Sequence, residues 1–505
     1  MQKKKSSWVD KFLNVVETVG NKLPHPATLF LILTLIVMAI SAIGSTLGWE
    51  VTYTGLVADG SGSYVPSEIT VGVLSLLSIE GLKYIFGNFT TNFTSFAPLG
   101  TVLVALVGIG IAERSGLISI ILRKVAMSTP PRLITAMIVF LGVMSNVASD
   151  AGYVVLPPLA ALIFLSFKRH PIAGVAAAFA GVSGGFSANL MISTLDPLLG
   201  GFTQEAARIL QPEYVVGSAA NYVFMVVSTF VITIVGTIIT EKVVEPRLGS
   251  YNGDAVVVFN EVTKEEKIAL RYAGFAFLGV IAFVASMWFV LGQSLFLGSA
   301  IVPMIVLVFA FPGLVYGKAI KTIGSDNDVM KMVADSFATM SGYLVLVFFA
   351  AQFIAFFNYS KLGTLIAVIG ADFLATLNAP AVVLLVIFIV IVAFINLFMG
   401  SASAKWAILA PVFVPMLMQL GISPEASQLA YRIGDSTTNL ISPLMSYFPM
   451  MVVFVQKYDK KASLGTLIST MLPYSIAFLI SWTALLAIWV AFNLPIGIGA
   501  GIFLG

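Results

Sequence analysis

The chain has 505 residues, of which 58% are hydrophobic and only 10% are charged. This composition excludes a soluble protein, because soluble domains carry roughly 25% charged residues and most of their surface must face water. The net charge of +3 is too small to indicate a nucleic-acid-binding protein, and without cysteine the chain can form neither disulfides nor thiolate metal sites. Its two histidines, His25 and His170, stand beside prolines at segment edges, so we expect no metal and no cofactor.

The first predicted elements are two membrane spans separated by an external segment. A lysine-rich start precedes an apolar stretch at 26–49, which is long enough to cross a bilayer and too long for a signal peptide. Since Lys and Arg collect on the cytoplasmic side, the N-terminus is predicted to be inside. Residues 50–94 are predicted to be external with an amphipathic stretch. The second span follows at 96–112, and residues 117–127 are predicted to lie in the membrane interface.

A re-entrant hairpin entering from the inside is predicted at about 133–167. Arg132 and the pair Lys168–Arg169 enclose about 35 residues, which is short for two full spans and a turn. The middle of this segment, 145–152, is too polar for lipid. Polar non-helical backbone at that depth persists only inside protein or beside a water-filled cavity.

The rest of the first half is predicted to contain an interrupted span at about 171–212, with its break at 183–189, and a returning span at 214–240. A cytoplasmic loop, 241–271, separates this first repeat, 26–240, from a second repeat, 272–461. The second repeat begins with three predicted spans, at 272–290, 296–316 and 337–357.

The second half then repeats the pattern from the opposite side. It has a predicted hairpin at about 380–420 entering from outside, an interrupted span at about 425–456, and a last helix at 465–494 that ends outside. The expected fold is therefore an all-α integral membrane protein, a single transporter domain over 1–505, with about nine transmembrane helices and two opposed re-entrant hairpins.

Local sequence matches between the halves indicate an inverted-topology repeat. Ser149 to Pro157 matches Ser403 to Pro411, and Ser187-Ala188-Asn189-Leu190 matches Thr437-Thr438-Asn439-Leu440. The offset between matching positions stays near 250 residues. Such a repeat brings two hairpin tips and two half-helix ends together near the midplane, where they can bind a solute while the halves rock for alternating access.

Charged residues inside the membrane are the first candidates for function. Arg432 and Asp435 share one helical face before the second break. Arg432 is predicted to bind a carboxylate bidentately, or else to form a structural ion pair with Asp435. Asp435 is either a proton or cation site or the partner of the arginine. Asp196 is either a proton carrier or a cap for a resumed half-helix, and Asp150 either pairs with Lys405 or lies at a helix end.

Neutral residues complete the predicted site. Trp406, on the second hairpin tip, either stacks on an aromatic solute or fills space. Ser403, Asn189 and Asn439 are predicted to hydrogen-bond the solute, or to satisfy the backbone of their own broken helices. Gly184, Gly185 and Pro443 are assigned to the helix breaks.

At these residues the chain resembles the p-aminobenzoyl-glutamate transporter (AbgT) family, a branch of the ion-transporter superfamily. The resemblance runs over nearly the whole chain and rests on several ordered motifs: 20–26 (GNKLPHP), 96–100 (FAPLG), 112–117 (AERSGL), 245–249 (EPRLG), 403–411 (SAKWAILAP) and 431–436 (YRIGDS).

This resemblance implies a homodimer in the bacterial inner membrane that transports p-aminobenzoyl-glutamate-like folate catabolites, or a proton-driven antiporter that exports sulfonamide antimetabolites. It also implies transport roles for one set of residues: Asp196, Ser403, Trp406, Arg432, Asp435 and Pro443. The expected coupling ion is H⁺, with Na⁺ as the alternative. A sodium-coupled dicarboxylate importer of the same superfamily is the alternative function. An intramembrane enzyme is disfavoured, since no catalytic motif is evident, and a channel is disfavoured, since it would not need interrupted helices in matched pairs.

Overall fold

The structure, a computed structural model, describes residues 24, 26–58, 64–148, 151–251, 253, 262–291, 300–376, 378–443, 445 and 447–504. Its first half contains a two-stranded antiparallel sheet, β1 (Glu50–Ala58) and β2 (Tyr64–Gly72), in which Glu50 lies opposite Gly72. The helices of this half are α1 (Pro26–Thr46), α2 (Ile79–Thr94), α3 (Ala97–Arg114), α4 (Leu117–Ser128), α5 (Ile134–Ser145), α6 (Ala151–Ser166), α7 (Pro171–Phe179), α8 (Leu195–Ala207), α9 (Tyr222–Ile239) and α10 (Glu245–Leu248).

The second half is helical throughout its described elements. These helices are α11 (Lys264–Leu291), α12 (Ile301–Ala319), α13 (Asp326–Thr339), α14 (Ser341–Tyr359), α15 (Leu362–Thr376), α16 (Ala381–Asn396), α17 (Ala402–Gln419), α18 (Pro424–Thr438), α19 (Phe448–Gln456) and α20 (Leu464–Ala491).

Seven of the described helices are long and apolar enough to cross a membrane, and counting each of two bent helix pairs as one span raises the number to nine. The longest of these candidate spans include Lys264–Val290 and Leu464–Ala491, which exceed the roughly 20 residues that a bilayer requires. The predicted all-α membrane protein with about nine spans therefore agrees with the helices that the structure contains.

Two segments differ from the sequence prediction. The segment 50–94, which is predicted to be external, contains the β1–β2 hairpin as well as the helix α2. The predicted loop 241–271 is helical at both ends: α9 continues through a π-helical turn (Thr240–Val244) into α10, and α11 begins at Lys264. Charged residues in a sequence indicate where the chain leaves the apolar layer of a membrane. They do not indicate where a helix ends, because a helix can continue into water.

The same order of elements occurs in both halves. In each half, a helix pair joined by a left-handed residue precedes a helical hairpin, an interrupted helix and a long helix. The left-handed residues are Gly116 between α3 and α4, with φ 90°, and Lys361 between α14 and α15, with φ 64°. The hairpins are α5–α6 and α16–α17, and the interrupted helices are α7–α8 and α18–α19.

The first break begins where α7 widens into a π-helical turn, Ala180–Gly184, and helical structure resumes only at Leu195. Glycine is required here because the chain is tightly packed. A Cβ on Gly181 would lie 2.3 Å from the carbonyl oxygen of Val139 in α5, and one on Gly184 would lie 2.7 Å from the ring of Phe478. The break is therefore held against the first hairpin and the last long helix.

Helix α18 forms the centre of the second half. All fifteen of its residues are buried, although they include Glu425, Gln428, Arg432 and Asp435. It packs against α16, α17 and α20 of its own half and α8 of the first. A polar helix enclosed by protein must satisfy its charges with partners from neighbouring elements.

Candidate functional site

The two hairpins and the two helix breaks meet around a cavity of about 150 Å³. The first hairpin, the first break, the second hairpin tip and the second break all contribute to its lining: Tyr153, Phe186, Gly400, Ala402, Asn439, Met445 and Tyr447. The rings of Tyr153 and Tyr447 stack across the halves, with centroids 4.5 Å apart and an interplanar angle of 10°. Residues far apart in the chain thus line one partly open cavity with aromatic and polar walls.

Arg432 pairs with Asp196 rather than with Asp435. Its Nη1 donates to Oδ1 of Asp196 at 2.7 Å, and each side chain is only 2% exposed. The other oxygen of Asp196 accepts from the backbone N–H and the hydroxyl of Ser193, at 2.7 and 3.1 Å. The alternative ion pair between Arg432 and Asp435 is therefore wrong. Although the two residues are three apart on α18, each carries its charge toward a different neighbouring element.

Asp435 instead pairs with Lys405 on α17. The Nζ of Lys405 lies 2.6 Å from Oδ1 of Asp435 and donates also to the side-chain oxygen of Asn396 and, at 3.2 Å, to the carbonyl oxygen of Met399. The amide nitrogen of Asn396 donates to the carbonyl oxygen of Asp435 and to the side chains of Thr438 and Asn439, at 2.7 to 2.9 Å. These bonds connect the second hairpin to the second break. Asp150, the other predicted partner of Lys405, lies outside the described residues.

Trp406 on α17 is fully buried and contacts Tyr431, the residue before Arg432 on α18. Its ring stacks on Tyr431, with centroids 4.5 Å apart, and its Nε1 donates to the hydroxyl of Thr203 at 2.9 Å. Thr203 lies on α8, so the tryptophan joins the second hairpin to the resumed half of the first interrupted helix. In this conformation the ring packs against protein on the Tyr431 side and is closed to solvent.

A hydrogen-bonded chain extends from Trp406 along α18. The Thr203 hydroxyl is 2.5 Å from Oε1 of Gln428, whose amide donates to the side-chain oxygen of Asn221 at 2.9 Å. Asn221 in turn donates to the carbonyl oxygen of Glu425. Thr203, Gln428 and Asn221 are not among the site residues predicted from the sequence, because single polar residues in helices carry no pattern. Their partners become evident only when α8 and α18 are packed together.

The predicted neutral residues have different surroundings. Asn189 bonds the first hairpin and its own segment, donating to the carbonyl oxygen of Val143 on α5 and accepting from the backbone N–H of Met191. Asn439 lines the cavity and accepts from Asn396. Ser403 is half-buried, with its hydroxyl 3.4 Å from that of Ser401. Asn189 therefore stabilises the break, whereas Asn439 also faces the cavity.

The residues assigned to the breaks lie at the breaks. Gly184 and Gly185 end the π-helical turn, and a Cβ on Gly185 would lie 2.5 Å from the carbonyl oxygen of Gly181. Pro443 lies in the non-helical segment between α18 and α19. Backbone groups freed by such interruptions are available to neighbouring side chains or to a solute.

Comparisons with known proteins agree with this architecture. The profile of the AbgT putative transporter family matches residues 11–504. The p-aminobenzoyl-glutamate transport protein of Escherichia coli (strain K12) is 39% identical over 507 residues, covering 98% of this chain and 97% of that protein. Family and relatives are transporters rather than enzymes, so the charged and polar residues described above belong to a transport protein.

Two solved structures superpose closely on the chain. The YdaH transporter of Alcanivorax borkumensis, whose structure is described as having an unusual topology, is 43% identical, with a TM-score of 0.87 over 94% of this chain and 100% of that one. MtrF of Neisseria gonorrhoeae, described as illuminating a class of antimetabolite efflux pumps, is 49% identical, with a TM-score of 0.90 over 97% of this chain and 100% of that one. This protein is a multi-pass membrane transporter and belongs to the AbgT family.

Proposed function

We propose that the protein is a proton-coupled secondary transporter of small aromatic carboxylates or sulfonamides, with p-aminobenzoyl-glutamate as the model solute. The observation that carries this proposal is the buried Arg432–Asp196 pair together with the Trp406–Tyr431 stack, which join the two interrupted helices and the second hairpin. This site combines an anion-binding group with aromatic surfaces. Those are the two features that an aminobenzoyl ring and a glutamate carboxylate require.

The chemistry of Arg432 supports a role in anion binding. A guanidinium group binds a carboxylate through two parallel hydrogen bonds. In the described structure only Nη1 reaches Asp196, and the Nε donor is buried without a hydrogen-bond partner among the described residues. Because a buried donor without a partner is unfavourable, an incoming carboxylate that engaged this face of the guanidinium would satisfy it.

We infer that the described conformation is a closed one. Trp406 is fully buried, and the cavity of about 150 Å³ is smaller than the roughly 300–1,000 Å³ of typical small-molecule sites. The solute therefore enters only when the hairpin tips separate. Movement of one half against the other would open the site alternately to the two sides of the membrane.

Proton coupling is proposed to act through Asp196. While Asp196 is ionised it holds Arg432, and a proton on this carboxylate would release the guanidinium to an anionic solute. The affinity for the solute would then depend on proton occupancy, and such linkage works in both directions. For an anionic solute this scheme predicts that proton and solute bind together.

We further propose that the protein is a homodimer of the bacterial inner membrane, with an internal N-terminus, an external C-terminus and two hairpins that enter from opposite sides. The repeated order of elements and the matched left-handed residues Gly116 and Lys361 support an inverted repeat. Single cysteines at Lys168 and Lys457, probed with a membrane-impermeant reagent in intact cells and inverted vesicles, are expected to react from the same, cytoplasmic side. Reaction from opposite sides would rule out this topology.

The function is tested by flux in proteoliposomes. Radiolabelled p-aminobenzoyl-glutamate and a sulfonamide are supplied separately, with a pH gradient or a sodium gradient imposed one at a time, and empty liposomes serve as the control. Flux that accumulates solute under the pH gradient, with choline in place of sodium, is the expected result. Flux driven only by sodium would favour a sodium-coupled importer, and the sign of the pH gradient would distinguish symport from antiport.

A further inference from the structure

We propose that the ammonium group of Lys405 is a covalently attached substitute for a free monovalent cation, held in a cation-binding site at the second hairpin. The proposal concerns this site alone and does not depend on which solute or gradient drives transport. It rests on the oxygen atoms around Nζ, on the helix ends that face it, and on the difference between the two halves of the chain.

The atoms around Nζ are those of a cation site. They are a carboxylate oxygen of Asp435 at 2.6 Å, the backbone carbonyl oxygen of Met399 at 3.2 Å, and the side-chain oxygen of Asn396. Lys405 is fully buried. In membrane transporters, unwound backbone carbonyls and side-chain oxygens at interrupted helices coordinate sodium or protons.

Two helix C-termini contribute to this site. Helix α16 ends at Asn396, just before Met399, and α18 ends at Thr438, so Asp435 lies in its last turn. The carbonyl end of a helix carries partial negative charge, which stabilises cations and disfavours a carboxylate. Asp435 therefore adds a full negative charge where the backbone is already negative, and this position requires a cation.

The helix that carries Lys405 does not explain its position. Lys405 lies in the first turn of α17, which begins at Ala402, and the N-terminal end of a helix disfavours a positive charge. The ring of Tyr431 adds a weaker cation–π contact, with Nζ 6.0 Å from its centroid. The ammonium group is thus held by the pocket formed by α16 and α18.

Of the two matching hairpin segments, 149–157 and 403–411, only the one in the second half carries a lysine. The match of 149–157 with 403–411 aligns Ala151 with Lys405. A tethered cation in the second half would neutralise Asp435 permanently, so that this half needs no ion from solution. The first half has no lysine at the matching position and differs in this respect.

The proposal predicts that removing the amine creates a site for a free cation. The full-length protein is purified in detergent, and its Tm is measured in sodium, potassium, methylammonium and choline chloride at constant ionic strength. For Lys405→Ala we expect a saturable rise in Tm of a few degrees with sodium, potassium or methylammonium over choline, because a ligand that binds the folded state stabilises it. The unaltered protein should show no saturable difference between these salts.

Two matched variants define the controls. Lys405→Met fills the space without charge, and the double variant Lys405→Ala/Asp435→Asn keeps the space but removes the carboxylate, so both should lack the saturable rise. Recovery of Lys405→Ala only when it is purified in sodium would support the proposal. Absence of the rise in Lys405→Ala, an equal rise in either control, or failure to recover Lys405→Ala in every salt would overturn it. Since the measurement is one of stability, any of these results leaves the proposed transport function standing.

Discussion

At the scale of single residues, the site contains two ion pairs that cross between elements, Arg432–Asp196 and Lys405–Asp435. Each pair is buried, so removal of one member leaves an uncompensated charge in a low-dielectric environment, at about 3–5 kcal/mol. Arg432→Ala is therefore expected to reduce stability as well as transport. A substitution that keeps the shape of the pair tests function more directly.

Asp196→Asn is such a substitution. The amide oxygen can still accept from Arg432, with the amide nitrogen then facing Ser193, and the side chain can no longer take up a proton. If Asp196 carries the coupled proton, the variant should lose the pH dependence of solute flux in proteoliposomes while keeping solute exchange between equal pools. Asp435→Asn is the comparison variant, because it removes a buried carboxylate that pairs with Lys405 and not with Arg432. Unchanged pH dependence in Asp196→Asn would assign Asp196 a structural role.

Trp406 combines a stacking contact with a hydrogen bond, and substitutions can separate the two. Trp406→Phe keeps a ring against Tyr431 but loses the donor to Thr203, whereas Trp406→Ala loses both and about 3–5 kcal/mol of packing. We expect partial flux with Trp406→Phe and none with Trp406→Ala in reconstituted vesicles. Thr203→Val removes this hydrogen bond and also the contact with Gln428, so it should reduce flux at least as much as Trp406→Phe. Normal flux with Trp406→Ala would exclude a role for this ring in transport.

At the scale of elements, α18 holds its charged residues in place because it packs closely against α16. A Cβ on Gly434 would lie 2.5 Å from the carbonyl oxygen of Ile389 and 2.8 Å from the Cβ of Val392. Gly434→Ala would therefore push α16 away, at about 1–3 kcal/mol, and move Asn396 away from Lys405. We expect a lower Tm and strongly reduced flux.

The matched control for this prediction is Gly279→Ala on α11. A Cβ at that position meets nothing within 4 Å, so the substitution tests helix propensity without a clash. It should leave both Tm and flux close to those of the unaltered protein. Equal behaviour of the two variants would show that the α16–α18 contact does not position the site.

At the scale of the whole molecule, the proposed alternating access requires that the cavity open between the halves. Tyr153 belongs to the first hairpin and Tyr447 to the second break, and their rings are in contact. Because the chain has no cysteine, Tyr153→Cys/Tyr447→Cys would carry the only two thiols. A short reducible bifunctional thiol reagent should join them and abolish flux, and reduction should restore it. Each single variant treated with the same reagent controls for the effect of modification alone. Undiminished flux in the cross-linked protein would mean that Tyr153 and Tyr447 do not separate during transport.

The sequence by itself determined the class of protein and much of its organisation. Apolar length fixes which segments can span a bilayer, and Ser-, Gly- and Asn-rich interruptions at 145–152, 183–189 and 400–406 identify backbone that cannot face lipid. These properties are local to each segment and can be predicted without knowing which other segments pack against it. The ordered motifs around Trp406 and Arg432 also indicated the family, which the comparison over residues 11–504 confirmed.

The partners of the charged residues were decided only by the tertiary structure. Their spacing on one helix suggested that Arg432 and Asp435 pair with each other. In the folded protein Arg432 pairs with Asp196, 236 residues away, and Asp435 pairs with Lys405. Thr203 and Gln428 were not recognised for the same reason, because their contacts join α8 and α18. Burial makes the choice of partner depend on the three-dimensional surroundings, since each enclosed charge or donor pairs with whatever the packed elements bring within hydrogen-bond distance.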